Sequence, residues 1–176
     1  MYQKYTVADV KKSSDRKLFN VISTFAGGGG SSTGYRLAGA NIIGINEFVE
    51  EAIKTYSTNF PDTKIIPGDI KALTGKDFLD TAGLKSGELD ILDGSPPCSS
   101  FSMAGNRGDD WGKEKKFREG QAEQVLDTLF FDFIDLAKKL QPKIVVAENV
   151  KGLLLGEAKS YVLKIYEEFE KAGYYV

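Results

Sequence analysis

The sequence contains no histidine and a single cysteine, Cys98, among 176 residues. Without histidine, imidazole general acid–base catalysis is excluded, and so is the commonest zinc ligand. A lone cysteine can form neither an internal disulfide nor a structural zinc site, which agrees with a reducing compartment. No apolar run approaches the length of a membrane span, and the polar residues 1–17 hold no signal-peptide core. An intracellular protein with no membrane partner is therefore expected. An excess of positive charge is also missing: 23 Lys and Arg against 25 Asp and Glu leave a net charge of −2. Composition thus does not mark a basic nucleic-acid-binding domain. One local concentration, Arg107, Lys113, Lys115, Lys116 and Arg118, is nearly cancelled by Asp109, Asp110, Glu114 and Glu119. It reads first as a solvated loop and second as a phosphate-contacting one. What is present is ordinary for a globular chain: 41% hydrophobic and 27% charged residues, enough for one sizeable domain.

Strand-like and helix-like segments alternate along the chain. Residues 19–25, 41–45, 63–66, 89–93 and 144–147 are β-branched or apolar and read as strands. Residues 31–40, 49–59, 75–82, 121–140 and 160–172 read as helices. The longest carries Val125, Leu129, Phe133, Leu136 and Leu140 on one face, and the last carries Val162, Ile165 and Phe169. Ser31 or Ser32 is available to cap the first helix. This alternation predicts an α/β fold, a doubly wound and mostly parallel sheet with helices on both faces. The expected organisation is a polar extension over residues 1–17 and one domain over 18–176. Residues 173–176 resemble the opening of a sixth strand, as in a truncated chain, a split-gene subunit or a cleaved product.

In such sheets, ligands bind beyond the carboxyl ends of the strands, and the candidate chemistry falls there. Phe25-Ala26-Gly27-Gly28-Gly29-Gly30 lies between a strand and a helix start, where glycines let the backbone approach a ligand closely. The strict dinucleotide pattern Gly-x-Gly-x-x-Gly is absent, and a plain flexible turn is the bland alternative. Glu47 follows Gly27 by 20 residues at a strand end, where a carboxylate can accept from ribose hydroxyls. Asp69 can accept from an adenine amino group or simply cap a turn. Cys98 follows a buried strand and the stiff pair Pro96-Pro97, so its sulfur is aimed; the bland reading is a small buried hydrophobe. Glu148 ends another apolar strand. Desolvation there would favour its protonated form, and the alternative is a structural carboxylate bound to backbone amides.

Together, Phe25-Ala26-Gly27-x-Gly29-Gly30, Asn46-Glu47, Gly68-Asp69-Ile70, Pro97-Cys98-x-x-Phe101-Ser102 and Glu148-Asn149-Val150 resemble the C5-cytosine DNA methyltransferase family in order and spacing. The resemblance implies a Rossmann-like fold that uses S-adenosyl-L-methionine. It implies that Cys98 attacks C6 of a cytosine flipped out of double-stranded DNA, and that Glu148 holds the base edge and donates a proton. Phe25, Gly27, Gly29, Gly30, Glu47, Phe48, Asp69, Ile70, Pro97 and Leu129 match cofactor-lining positions. Ser99, Ser102, Asn149 and Val150 match positions near the substrate. Residues 99–120 correspond to the family's catalytic loop, a mobile lid over the flipped base.

The family's Gln-x-Arg motif, target-recognition region and closing helix have no counterpart before Val176. The isolated chain is accordingly expected to bind cofactor weakly and to be inactive or nearly so, with a second chain as one source of the missing parts. Restriction-modification is one setting that fits. Three other readings stand beside this one: a close variant acting on cytosine in transfer RNA, a non-catalytic cofactor-binding subunit, and a nicotinamide-dependent oxidoreductase. Retention of both Cys98 and Glu148 speaks against the second, and the broken glycine pattern against the third.

Overall fold

A computed structural model describes residues 4–97, 128–154 and 158–176. Its elements are helix α1 (Val7–Ser14), strand β1 (Asn20–Thr24), α2 (Gly30–Leu37), β2 (Asn41–Glu47), α3 (Glu50–Asn59), β3 (Ile65–Pro67), α4 (Gly75–Ala82), β4 (Ile91–Gly94), α5 (Leu129–Leu140), β5 (Ile144–Ala147) and α6 (Ala158–Lys171). The five strands form one sheet in the order β3-β2-β1-β4-β5. Pairings β1–β2, β1–β4 and β2–β3 are parallel, with Ser23 opposite both Ile45 and Asp93. The expected α/β architecture is therefore present. The strand order reverses between β1 and β4, so the loops leaving those two strands are the natural ligand position.

The chain divides into two compact units, Met1–Ser95 with Lys139–Val146, and Pro96–Lys138 with Ala147–Val176. In the first, Val21, Ile42 and Ile45 from the sheet pack with Ala40 and the fully buried ring of Tyr56, joined by the partly buried Phe19, Tyr35 and Phe60. Tyr56 and Phe60 meet with ring centroids 5.2 Å apart. In the second, the aromatic residues of α5 and α6 make edge-on contacts: Phe130 lies 6.5 Å from both Tyr161 and Phe169, and Phe131 lies 5.3 Å from Tyr161. Such T-shaped pairs suit the ring quadrupole and fill the apolar face that the spacing of Phe133, Val162, Ile165 and Phe169 creates.

Three local departures from the sequence reading have clear causes. Helix α1 lies within residues 1–17 and was not foreseen. It opens with a capping box between Thr6 and Asp9, and its one buried residue is Val10. Tertiary bonds tether it: Ser14 Oγ donates to the Ala40 carbonyl (2.8 Å), and Arg36 Nη1 donates to Ser14 Oγ (3.2 Å). Helix α2 is capped by neither serine; Gly29, in the left-handed region at φ +93°, occupies the cap position with no side-chain bond. Residues 174–176 form no strand: α6 ends at Lys171, Gly173 beyond it is left-handed (φ +90°), and the Tyr174 N–H turns back to the Phe169 carbonyl.

Candidate cofactor and base site

In the first unit, the site begins where β1 runs out. Phe25 (φ +52°), Gly27 (φ +53°) and Gly29 (φ +93°) are all left-handed, so the loop reverses sharply before α2 starts. Phe25 is the costly member, since a side-chain-bearing residue is rarely held there. The turn is secured by the Ala26 N–H, which donates to the Asn46 carbonyl (3.2 Å), and by the Gly27 N–H, which donates to Glu47 Oε2 (2.8 Å). The other Glu47 oxygen accepts from the Phe48 and Val49 amides at 2.8 and 2.9 Å. Three backbone donors thus stabilise a carboxylate that is only 7% exposed. Two carboxylate oxygens offer about four acceptor positions, so one is left for a ligand hydroxyl.

Asn46 links the loop to the third strand. Its Nδ2 donates to the carbonyls of Ile66 and Gly68, both at 2.9 Å. The following Asp69 adopts the capping role: its Oδ1 accepts from the Lys71 N–H (3.0 Å) at the start of the 3-10 turn Ile70–Ala72. Ile70 is buried, and Phe48 is 38% exposed. The ends of β1, β2 and β3 therefore bring together Gly27, Glu47 and the Gly68-Asp69 turn. A methyl-sized group built on Gly27 or Gly30 would meet nothing within 4 Å, so the loop backbone faces open space. An open glycine cradle beside a buried carboxylate fits a nucleoside-containing cofactor.

In the second unit, Pro96 is buried and Pro97 half-buried. Asn149 Nδ2 donates to the Pro96 carbonyl (3.0 Å), while its Oδ1 accepts from the Val150 amide (2.8 Å). One amide side chain so joins the Pro-Pro turn to the Glu148-Asn149-Val150 segment. Leu129 is buried at 3% exposure. Glu148 is exposed, contrary to the expected desolvation. The strand before it explains this, for Ile144 is 54% and Val146 37% exposed, and Ala147 is exposed as well. Cys98, Ser99, Ser102 and the charged segment from Arg107 to Arg118 lie outside the described residues. Among the described residues, no group of three or more His, Cys, Asp or Glu is arranged to hold a metal ion, and no helix is long and apolar enough to cross a membrane.

The sequence reading passed over two polar residues that organise this region, Asn46 as a side chain and Asp93. Asp93, 5% exposed, closes the apolar run that becomes β4. A carboxylate inside a run otherwise read as buried strand was the available signal.

Comparisons with known proteins agree with the fold. The chain is 36% identical over 155 residues to the type II methyltransferase M.NgoPII of Neisseria gonorrhoeae, covering 88% of this chain and 40% of the relative. It is 35% identical over 175 residues to M.Sau96I of Staphylococcus aureus, covering 97% of this chain and 35% of that protein. The chain thus spans well under half the length of these relatives. Among solved structures, a DNA modification methyltransferase from an Escherichia coli prophage superposes with a TM-score of 0.68 at 25% identity, over 87% of this chain and 38% of the other. A Spodoptera frugiperda DNMT2 mutant, at 21% identity and a TM-score of 0.56 over 85% of this chain and 41% of its own, shares the fold. Residues 19–176 match the C-5 cytosine-specific DNA methylase family, from β1 through the end of α6, and the chain belongs to that family.

Proposed function

We propose that this chain carries the cofactor-binding and catalytic portion of a DNA (cytosine-5-)-methyltransferase that uses S-adenosyl-L-methionine. The observation that carries the reading is the family match over residues 19–176, which spans Pro97-Cys98 and Glu148-Asn149-Val150. The open backbone at Gly27 and Gly30 and the triply held Glu47 carboxylate support the cofactor assignment.

Phe25, Gly27, Gly29, Gly30, Glu47, Phe48, Asp69, Ile70, Pro97 and Leu129 would hold the cofactor, which when bound supplies an electrophilic methyl group. The Glu47 carboxylate would accept from a ribose hydroxyl, and the glycine amides would line the adjoining surface. Cys98, as thiolate, adds to C6 of a cytosine swung out of duplex DNA, and that addition places electron density on C5. Glu148 holds N3 and the amino edge of the base and delivers a proton there, lowering the charge that the thiolate brings. Ser99, Ser102, Asn149 and Val150 position the base; the Asn149 bond to Pro96 keeps the turn before Cys98 in register with Glu148 along the chain. Recovery of the aromatic ring requires loss of the C5 proton and departure of the thiolate.

Duplex DNA is the proposed partner, together with a further segment or a second chain for target recognition, in a restriction-modification setting. The isolated chain is expected to bind cofactor weakly and to transfer methyl groups slowly at most. A duplex bearing 5-fluorocytosine, incubated for hours with the chain and S-adenosyl-L-methionine, should accumulate a covalent adduct that Cys98→Ser abolishes. An adduct retained by that variant would overturn the assignment of Cys98 as the nucleophile. Titration with NAD in place of S-adenosyl-L-methionine should give no heat of binding.

A further inference from the structure

Among the described residues of the first unit, Asp93 is the one carboxylate gripped by hydroxyl groups from two other elements. Ser23 Oγ of β1 (2.8 Å) and Ser31 Oγ of α2 (3.0 Å) both donate to its Oδ2, and the Tyr35 hydroxyl, one turn along α2, donates to Oδ1 (3.2 Å). Thr24 Oγ1 also donates to the Asp93 main-chain carbonyl (3.1 Å). The side chain therefore pins strand β1, strand β4 and the first turns of α2 at one point. Burying a carboxylate is unfavourable, and neutral hydroxyls offset only part of that cost. No ion pair among the described residues includes it. Such an arrangement calls for a reason beyond packing.

The reason lies at the start of α2. That helix begins directly after the glycine loop, with Gly29 at its cap and so no side-chain cap bond from that residue. The loop before it carries three left-handed residues, so its shape is not the one the chain would choose unaided. Asp93 takes hold of this helix from outside, through Ser31 at its second residue and Tyr35 a turn later, and brings a negative charge to the helix end that favours one. Burial first, and then the neighbouring carboxylate, hold the Tyr35 phenol well above its usual titration range, so it remains a donor at any working pH.

We propose that Asp93 is a positioning residue for the cofactor: through Ser31 and Tyr35 it presets helix α2, and with it the amides of the glycine loop, for S-adenosyl-L-methionine. This rests on the cofactor reading above. Calorimetric titrations of the wild-type chain and of Asp93→Asn, Ser31→Ala and Ser23→Ala test it, each run well below the melting temperature measured for that variant. Asp93→Asn and Ser31→Ala should each weaken binding of S-adenosyl-L-methionine tenfold or more, and the double variant should be no worse than Asp93→Asn alone, as for residues acting in one chain of contacts. S-adenosylhomocysteine, which lacks the sulfonium charge, should weaken by the same factor. Ser23→Ala, which loosens only the β1 side, should lower the melting temperature yet leave affinity within twofold. Unchanged affinity in Asp93→Asn despite a lower melting temperature would make the residue purely structural and overturn the proposal. Ser31 is exposed, so Ser31→Ala keeps the question open to test even if Asp93→Asn fails to fold, and full affinity there also overturns it. Weakening confined to the charged cofactor would replace positioning by direct charge recognition. A wild-type chain that binds neither compound would instead remove the cofactor reading itself.

Discussion

Gly29 and Gly30 are neighbours with opposite tolerances. A Cβ on Gly29 would fall 2.8 Å from Phe60 Cε2 and 3.0 Å from Tyr56 Cε2, at a φ of +93° that disfavours any L side chain. Gly29→Ala should cost roughly 2–4 kcal/mol in stability, combining the left-handed penalty with overpacking, as read from urea unfolding. Gly30→Ala meets nothing within 4 Å and should leave the unfolding midpoint nearly unchanged. If the loop cradles a cofactor, its loss should show in affinity instead. The glycine cluster and Glu47 were legible because both are local signals, a run of one residue type and a fixed spacing. The uses made of Ser31 and Asp93 were not. Their bond closes over 62 residues of sequence, and a serine at a helix start reads as a cap until a distant acceptor is known.

Helices whose ends are set locally matched the sequence reading most closely. Helix α4 occupies residues 75–82 as expected, opened by the Thr74–Asp77 capping box and closed by Gly83 at φ +72°. Thr74→Ala should remove about 1 kcal/mol of stability through the lost cap, measurable by thermal or denaturant unfolding. Helix α1 has the same kind of box at Thr6 and Asp9 but only one buried residue, and no apolar stripe marks it in the sequence. Its tethers through Ser14 and Arg36 are tertiary. In α6, Glu168 accepts from Lys171 (2.8 Å) and from Lys138 of α5 (2.9 Å), which draws its carboxyl down to about 2. Because the folded value lies below the unfolded one, this contribution is complete above the ordinary Glu range and disappears as pH falls toward 2. Glu168→Gln should therefore lower the melting temperature slightly at pH 7, with the gap closing in acid. Added salt should narrow it as well, since Lys171 is exposed and Glu168 and Lys138 are only partly buried.

At the scale of the whole molecule, charge and topology point to different partners. A net charge of −2 releases few counterions, so this chain alone should bind duplex DNA more weakly than about 10⁻⁴ M at physiological salt, with a shallow salt dependence in fluorescence anisotropy. Strand alternation made the sheet legible from sequence, because each buried parallel strand is a short apolar run between helical patterns. The exposure of Glu148 was not legible, since an apolar run alone does not say whether its strand is central or lateral. The two lateral strands differ in consequence. On one side β3 is three residues long and ends in Pro67, which offers no N–H, so a visiting strand finds little to pair with. On the other side β5 is built of Ile144, Val145, Val146 and Ala147, with all but Val145 open to solvent. Such a border is adhesive, and concentrated solutions of the chain should show concentration-dependent light scattering that Val146→Lys suppresses.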